Sequence, residues 1–122
     1  MTQEDKELLL KDLCASLTYK VKIYIPELFT NKEQVETLNE IFKGNDGLYR
    51  VNDSGILIEY IKPYIFHLSN MNEEQNKEWL YTLSSDYHIT YDTVDWCNKN
   101  HFDYRGLIEK GLAIDATGLN IY

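Results

Sequence analysis

The amino-acid sequence predicts a small α+β domain with an antiparallel sheet, an N-terminal helix and a helical C-terminal section. Three observations carry this expectation. Leu9, Leu10, Leu13, Cys14 and Leu17 recur at helical spacing near the start. Tyr19, Val21, Ile23 and Ile25 then alternate with Lys20, Lys22 and Tyr24, the period of a half-buried strand. Further on, Asn72 with Gln75, and Thr90 or Asp92 ahead of Val94, have the chemistry of helix starts.

Taken in order, Thr2 followed by Asp5 resembles a capping box and opens a helix over residues 3 to 17. The alternating strand from Tyr19 to Ile25 should pack beneath it and stop at Pro26, which lacks a ladder donor. Residues 31 to 43 read two ways. Asn31 with Gln34 would cap a helix carrying Val35, Leu38, Ile41 and Phe42, while the run from Val35 to Leu38 also suits an extended chain. Leu48 to Val51 and Ile56 to Ile61 are β-rich, and Asn52-Asp53-Ser54-Gly55 between them is hairpin-turn chemistry. Lys62-Pro63 is expected to close the second of these strands. A helix near 73 to 84 holds Trp79, Leu80 and Leu83, and a shorter one with Val94 and Cys97 ends around Asn100. Asp103 to Gly106 then reads as a turn and Leu112 to Ile114 as a short extended end.

The 122 residues are enough for one domain, 1–122, with one core, and no stretch reads as linker or repeat. Apolar side chains make up 43% and charged ones 26%, too hydrophobic a mixture for a disordered chain. Cys14 and Cys97 lack a secreted disulfide framework, so two free thiols are expected. Met1 to Glu7 is acidic, and the apolar run after it, Leu8 to Leu10, is far shorter than a signal-peptide core or membrane span. A cytoplasmic protein that does not enter a membrane is the expectation.

The 20 acidic and 12 basic side chains give a net charge of −8, which repels phosphate backbones and anionic lipid. Direct nucleic-acid binding would need Lys20, Lys22 and Arg50 to gather on one sheet face against that field. A basic protein partner would suit it, although such a charge also serves solubility alone.

Candidate chemistry centres on the third helix. Cys97, His101 and Asp103 are the types needed for a thiolate nucleophile, its base and an orienting carboxylate, the basis of an alternative reading as a hydrolase or transferase. Against it, Cys97 sits at an apolar helix position beside Val94, where a small buried thiol is common. Zinc sites carry paired short spacings that are absent here from the two cysteines and His67, His88 and His101, so no metal or other cofactor is expected. Gly44 to Gly47 lacks the lysine of a phosphate-binding loop. Trp96, His101, Phe102, Tyr104 and Arg105, crowded around one turn, have the composition of an interface hot spot and form the candidate interaction surface. The competing account has Trp96 and Phe102 packing the helix onto the sheet, with Asp103 paired to Arg105.

Three stretches also resemble a known group: Lys6 to Cys14, Lys62 to Gln75, and Asp95 to Ile108. Together they resemble a family of small uncharacterised proteins of Bacteroides-type gut bacteria, their phages and mobile elements. The resemblance spans both ends and the middle and leaves out most of residues 24 to 60. It implies a cytoplasmic origin and a variable middle made of strands, forming a small curled sheet or partly open barrel, which favours strand over helix at 31 to 43. It also implies an accessory protein of a phage or mobile element that binds a host or phage protein, and it supplies no catalytic or cofactor residue. The chain departs from the group at Cys97, where leucine is usual, at His67, where proline or arginine is usual, and at Glu109-Lys110, where Pro-Met is usual. A leucine at position 97 fits a core role for Cys97.

Overall fold

The Thr2 hydroxyl accepts the Asp5 amide at 3.1 Å and starts α1 (Gln3–Ser16) in the computed structural model, which describes residues 1–30 and 34–122. A 3-10 turn, Leu17–Tyr19, extends the helix until Lys20 ends it in the left-handed region at φ 56°. That conformation interrupts the extended run expected from Tyr19, so β1 is shorter, Lys22–Ile25. Its Ile23 and Ile25 are buried while Lys22 and Tyr24 face the other way, as the alternation requires.

After the single turn α2 (Glu27–Thr30), the chain forms β2 (Gln34–Thr37) and β3 (Ile41–Lys43). Strand is thus the state of most of the ambiguous stretch. Residues 31 to 33, including the Asn31 of the rival helix cap, lie outside the described residues. The hairpin is present as β4 (Tyr49–Val51) and β5 (Ile56–Leu57), with Asn52 to Gly55 as its turn, although Ile58–Tyr60 coils into a 3-10 turn instead of prolonging β5.

Lys62-Pro63 does not close a strand. It opens β6 (Lys62–His67), which lies between β1 and β7 in its sheet. Helices α3 (Glu73–Thr82) and α4 (Tyr91–Lys99) follow, each with a complete capping box, from Asn72 with Gln75 and from Thr90 with Thr93. Two short strands, β7 (Phe102–Asp103) and β8 (Ile114–Asp115), return to β6.

Among the described residues the strands form two sheets. One has the order β2-β1-β6-β7 with β8 also on β6, and the other the order β3-β4-β5. The hairpin sheet and the β2-β1-β6 ladder are antiparallel, as expected, whereas β7 and β8 join β6 in parallel. Parallel pairing needs a long crossover, and α3 and α4 provide it between β6 and β7. One apolar cluster takes in Leu9 and Leu13 of α1, Ile23 and Ile25 of β1, Val51 and Ile56 of the hairpin, and Ile65 of β6.

Two side chains tie the parts together. Asn52, buried at φ 54°, accepts the Asn39 and Glu40 amides on its Oδ1 and donates from Nδ2 to the Thr37 carbonyl and to Glu36, joining the two sheets. The Tyr122 hydroxyl accepts the Lys22 amide at 2.8 Å and donates to the Tyr64 carbonyl at 2.6 Å. No helix among the described residues is long and apolar enough to cross a membrane.

Candidate protein-interaction surface

Helix α3 contains no fully buried residue, so much of its apolar surface remains in solvent. Beyond it, Ser84 and His88 close a tight loop, with the Ser84 amide donating to the His88 carbonyl at 3.0 Å and the His88 amide to the Ser84 hydroxyl at 3.0 Å. Three threonines fasten this elbow. Thr90 and Thr93 hydroxyls both donate to the Thr82 carbonyl, at 2.7 and 3.0 Å, and the Thr82 hydroxyl lies 3.0 Å from that of Thr93. The result is a short, internally hydrogen-bonded α3–α4 unit.

Large apolar side chains project from it. Tyr81 is 90% exposed, Tyr87 77%, Ile89 64% and Tyr91 83%, with Leu80 beside them also exposed. Among the described residues no ring stacks on Tyr81, Tyr87 or Tyr91. Tyr87 is held at φ 61°, a conformation that costs a bulky residue about 1 kcal/mol or more. The sequence from Glu73 to Asp95 carries six carboxylates, Glu73, Glu74, Glu78, Asp86, Asp92 and Asp95, against one lysine, Lys77, with Lys99 following at the end of α4. Sequence reasoning did not single out this elbow. Its signal was Tyr87, Ile89 and Tyr91, which alternate with His88 and Thr90 at strand period just after the polar Ser84-Ser85-Asp86, yet form no strand here.

The five residues expected to form the surface are engaged within the fold. Trp96 stacks on Phe102 with ring planes 4° apart and centroids at 5.5 Å, and Phe102 is buried against Phe66. His101 stacks on Tyr122 with centroids at 4.0 Å. The Arg105 guanidinium lies 4.2 Å from the Tyr104 ring centre and bonds Asp12 at 2.8 Å. Trp96, His101, Tyr104 and Arg105 are all half-buried. Arg105 pairs with Asp12 of α1, while Asp103 accepts the Leu107 and Ile108 amides, each at 2.9 Å, and so shapes the turn.

Between α1 and α4 lies a cleft of about 370 Å³ lined by Tyr19, Tyr91, Val94, Asp95, Asn98 and Arg105, among others. The Tyr19 hydroxyl donates to Asp95 at 2.5 Å, and that hydrogen bond is the main cause raising the Tyr19 pKa above its usual value. Buried Asp12 is pushed up to about 6 by desolvation, against the opposing pull of Arg105.

The thiol and imidazole do not make a nucleophile and base. Cys97 is 1% exposed and burial pushes its thiol up to about 11, so thiolate is scarce at neutral pH. His101 is pushed down to about 4 by desolvation, its Nδ1 has no partner, and no hydrogen bond joins it to Cys97 among the described residues. Cys14 and Cys97 are both free thiols. Among the described residues no three His, Cys, Asp or Glu side chains are grouped to hold a metal ion. Lys22 and Arg50 fall in different sheets, Lys20 in neither, and Arg50 is taken up by Asp46 at 2.7 Å. No family model matches the chain, and no curated protein or solved structure does so.

Proposed function

We propose that this protein is a non-enzymatic interaction module that binds a basic protein partner through the α3–α4 elbow. The observation that carries the reading is the projection of Tyr81, Tyr87, Ile89 and Tyr91 from a hydrogen-bonded support, each at least 64% exposed. Aromatic residues on a rigid support give contact area at small entropic cost. The six carboxylates of residues 73 to 95 favour a basic partner and speed its approach. The resemblance supports reading the protein as an accessory factor of a phage or mobile element, acting in the cytoplasm on a host or phage partner of Bacteroides type.

The test compares the tagged parent with a Tyr87→Ser, Ile89→Ser variant whose folding is verified by circular dichroism. Both are incubated in a Bacteroides-type lysate with and without phage infection. A protein retained by the parent should be purified and shown to bind stoichiometrically, to bind the variant at least tenfold more weakly, and to dissociate as salt rises. Equal retention by parent and variant, or no retained protein in either lysate, refutes the proposal.

A further inference from the structure

The cleft between α1 and α4 adjoins the elbow through Tyr91, which belongs to both. Two tyrosine rings, Tyr19 and Tyr91, line it, and Asp95 supplies a carboxylate on the α4 side. One Asp95 oxygen is fixed by the Tyr19 hydroxyl at 2.5 Å, and among the described residues no lysine or arginine pairs with Asp95. Arg105 also lines the cleft, but Asp12 balances its charge at 2.8 Å and Tyr104 covers its face. Thr18 and Asn98 add neutral polar groups. The cleft therefore carries one uncompensated negative charge beside aromatic surface.

We infer that this cleft receives an arginine side chain of the protein partner, its guanidinium paired with Asp95 and lying against Tyr19 and Tyr91. The inference rests on the proposed function, since it assigns the chemistry of a partner that the elbow engages. Arginine fits better than lysine because a planar guanidinium both stacks on phenol rings and bonds a carboxylate with directed donors. The volume of about 370 Å³ leaves room for the whole side chain.

The probe is N-acetyl-L-arginine amide, with N-acetyl-L-citrulline amide as its uncharged counterpart, titrated into isotope-labelled protein and followed by NMR. Arginine should perturb Tyr19, Tyr91 and Asp95 and bind about fivefold more tightly than citrulline, the size of an accessible ion pair. Asp95→Asn, which keeps the oxygen facing Tyr19, should abolish that preference, and Tyr19→Phe should reduce it. Equal binding of the two probes, shifts centred elsewhere, or an undiminished preference in Asp95→Asn overturns the inference. The two readings fail separately. Arginine binding with no partner found sinks the elbow proposal alone, and a partner lost on Tyr87→Ser, Ile89→Ser but held normally by Asp95→Asn sinks the cleft alone.

Discussion

Removing one oxygen atom from Tyr122 should weaken the central ladder of the larger sheet. β1 and β6 pair at Tyr24 with Lys62 and at Ile23 with Pro63, and the next rung would join Lys22 to Tyr64. There the Tyr122 hydroxyl stands between the strands, accepting from Lys22 and donating to Tyr64. Tyr122→Phe keeps the ring on His101 and deletes both hydrogen bonds. At about 1 kcal/mol net for each, the loss is about 2 kcal/mol, since the half-exposed ring admits some water to the Lys22 amide. For a chain of this size that corresponds to a fall in Tm of roughly 8 °C. Denaturant melts and hydrogen exchange at Lys22 and Tyr24 provide the assay. Burial also raises the Tyr122 pKa from its ordinary value of 10.0. A folded-state pKa above the unfolded one gives stability that is intact below about pH 10 and lost as pH climbs further, so the parent should fall more steeply in alkali than Tyr122→Phe. A variant within about 0.5 kcal/mol of the parent, with unchanged Lys22 exchange, refutes the bridging role.

His101, depressed to about 4 from 6.5, should cost stability as pH falls through that interval, while Asp12, raised to about 6 from 3.8, should add stability over nearly the same interval. His101→Asn, which tolerates the φ of 61° there, should therefore turn a nearly flat acid profile into one that rises on acidification, as read by urea midpoints from pH 7 to 4. Asn52→Ala removes the four hydrogen bonds that join the sheets and should cost roughly 3 kcal/mol in equilibrium unfolding. Thr93→Val preserves shape and deletes the hydroxyl shared with Thr82 and Thr90, so it should cost about 1 to 2 kcal/mol and speed hydrogen exchange first in residues 84 to 90. Tyr87→Gly should raise stability by about 1 kcal/mol in thermal melts while weakening partner capture, because glycine relieves the left-handed φ and removes the exposed ring.

Helices α1, α3 and α4 were legible because their signals are local. Thr2, Asn72 and Thr90 each accept the amide three residues on, and the sequence contains the whole of that interaction. The hairpin turn at Asn52 was legible for the same reason. The role of Lys62-Pro63 was not. Proline reads as an end of extended structure, yet Pro63 is buried in the second position of β6, paired with Ile23 of β1. β7 and β8 each span two residues, too short to carry any period, and their parallel pairing with β6 depends on where α3 and α4 return the chain.

The internal packing of the candidate surface was not legible for a related reason. Residues 96 to 105 have interface composition, but composition does not say which way a ring faces. Asp12, 93 residues from Arg105, and Tyr122, stacked on His101, come from opposite ends of the chain and draw that cluster inward. At the elbow the hydrogen bonds run among backbone, serine and threonine, and among the described residues no ring stacks on Tyr81, Tyr87 or Tyr91. Scattered exposed apolar residues need no explanation. Tyr81, Tyr87, Ile89 and Tyr91 occur within eleven residues across the end of α3, the loop and the start of α4, and Tyr87 sits in a conformation that glycine would adopt at lower cost. The left-handed φ costs Tyr87 stability while its ring lies in solvent, and the interaction proposed for the elbow would give that ring a use.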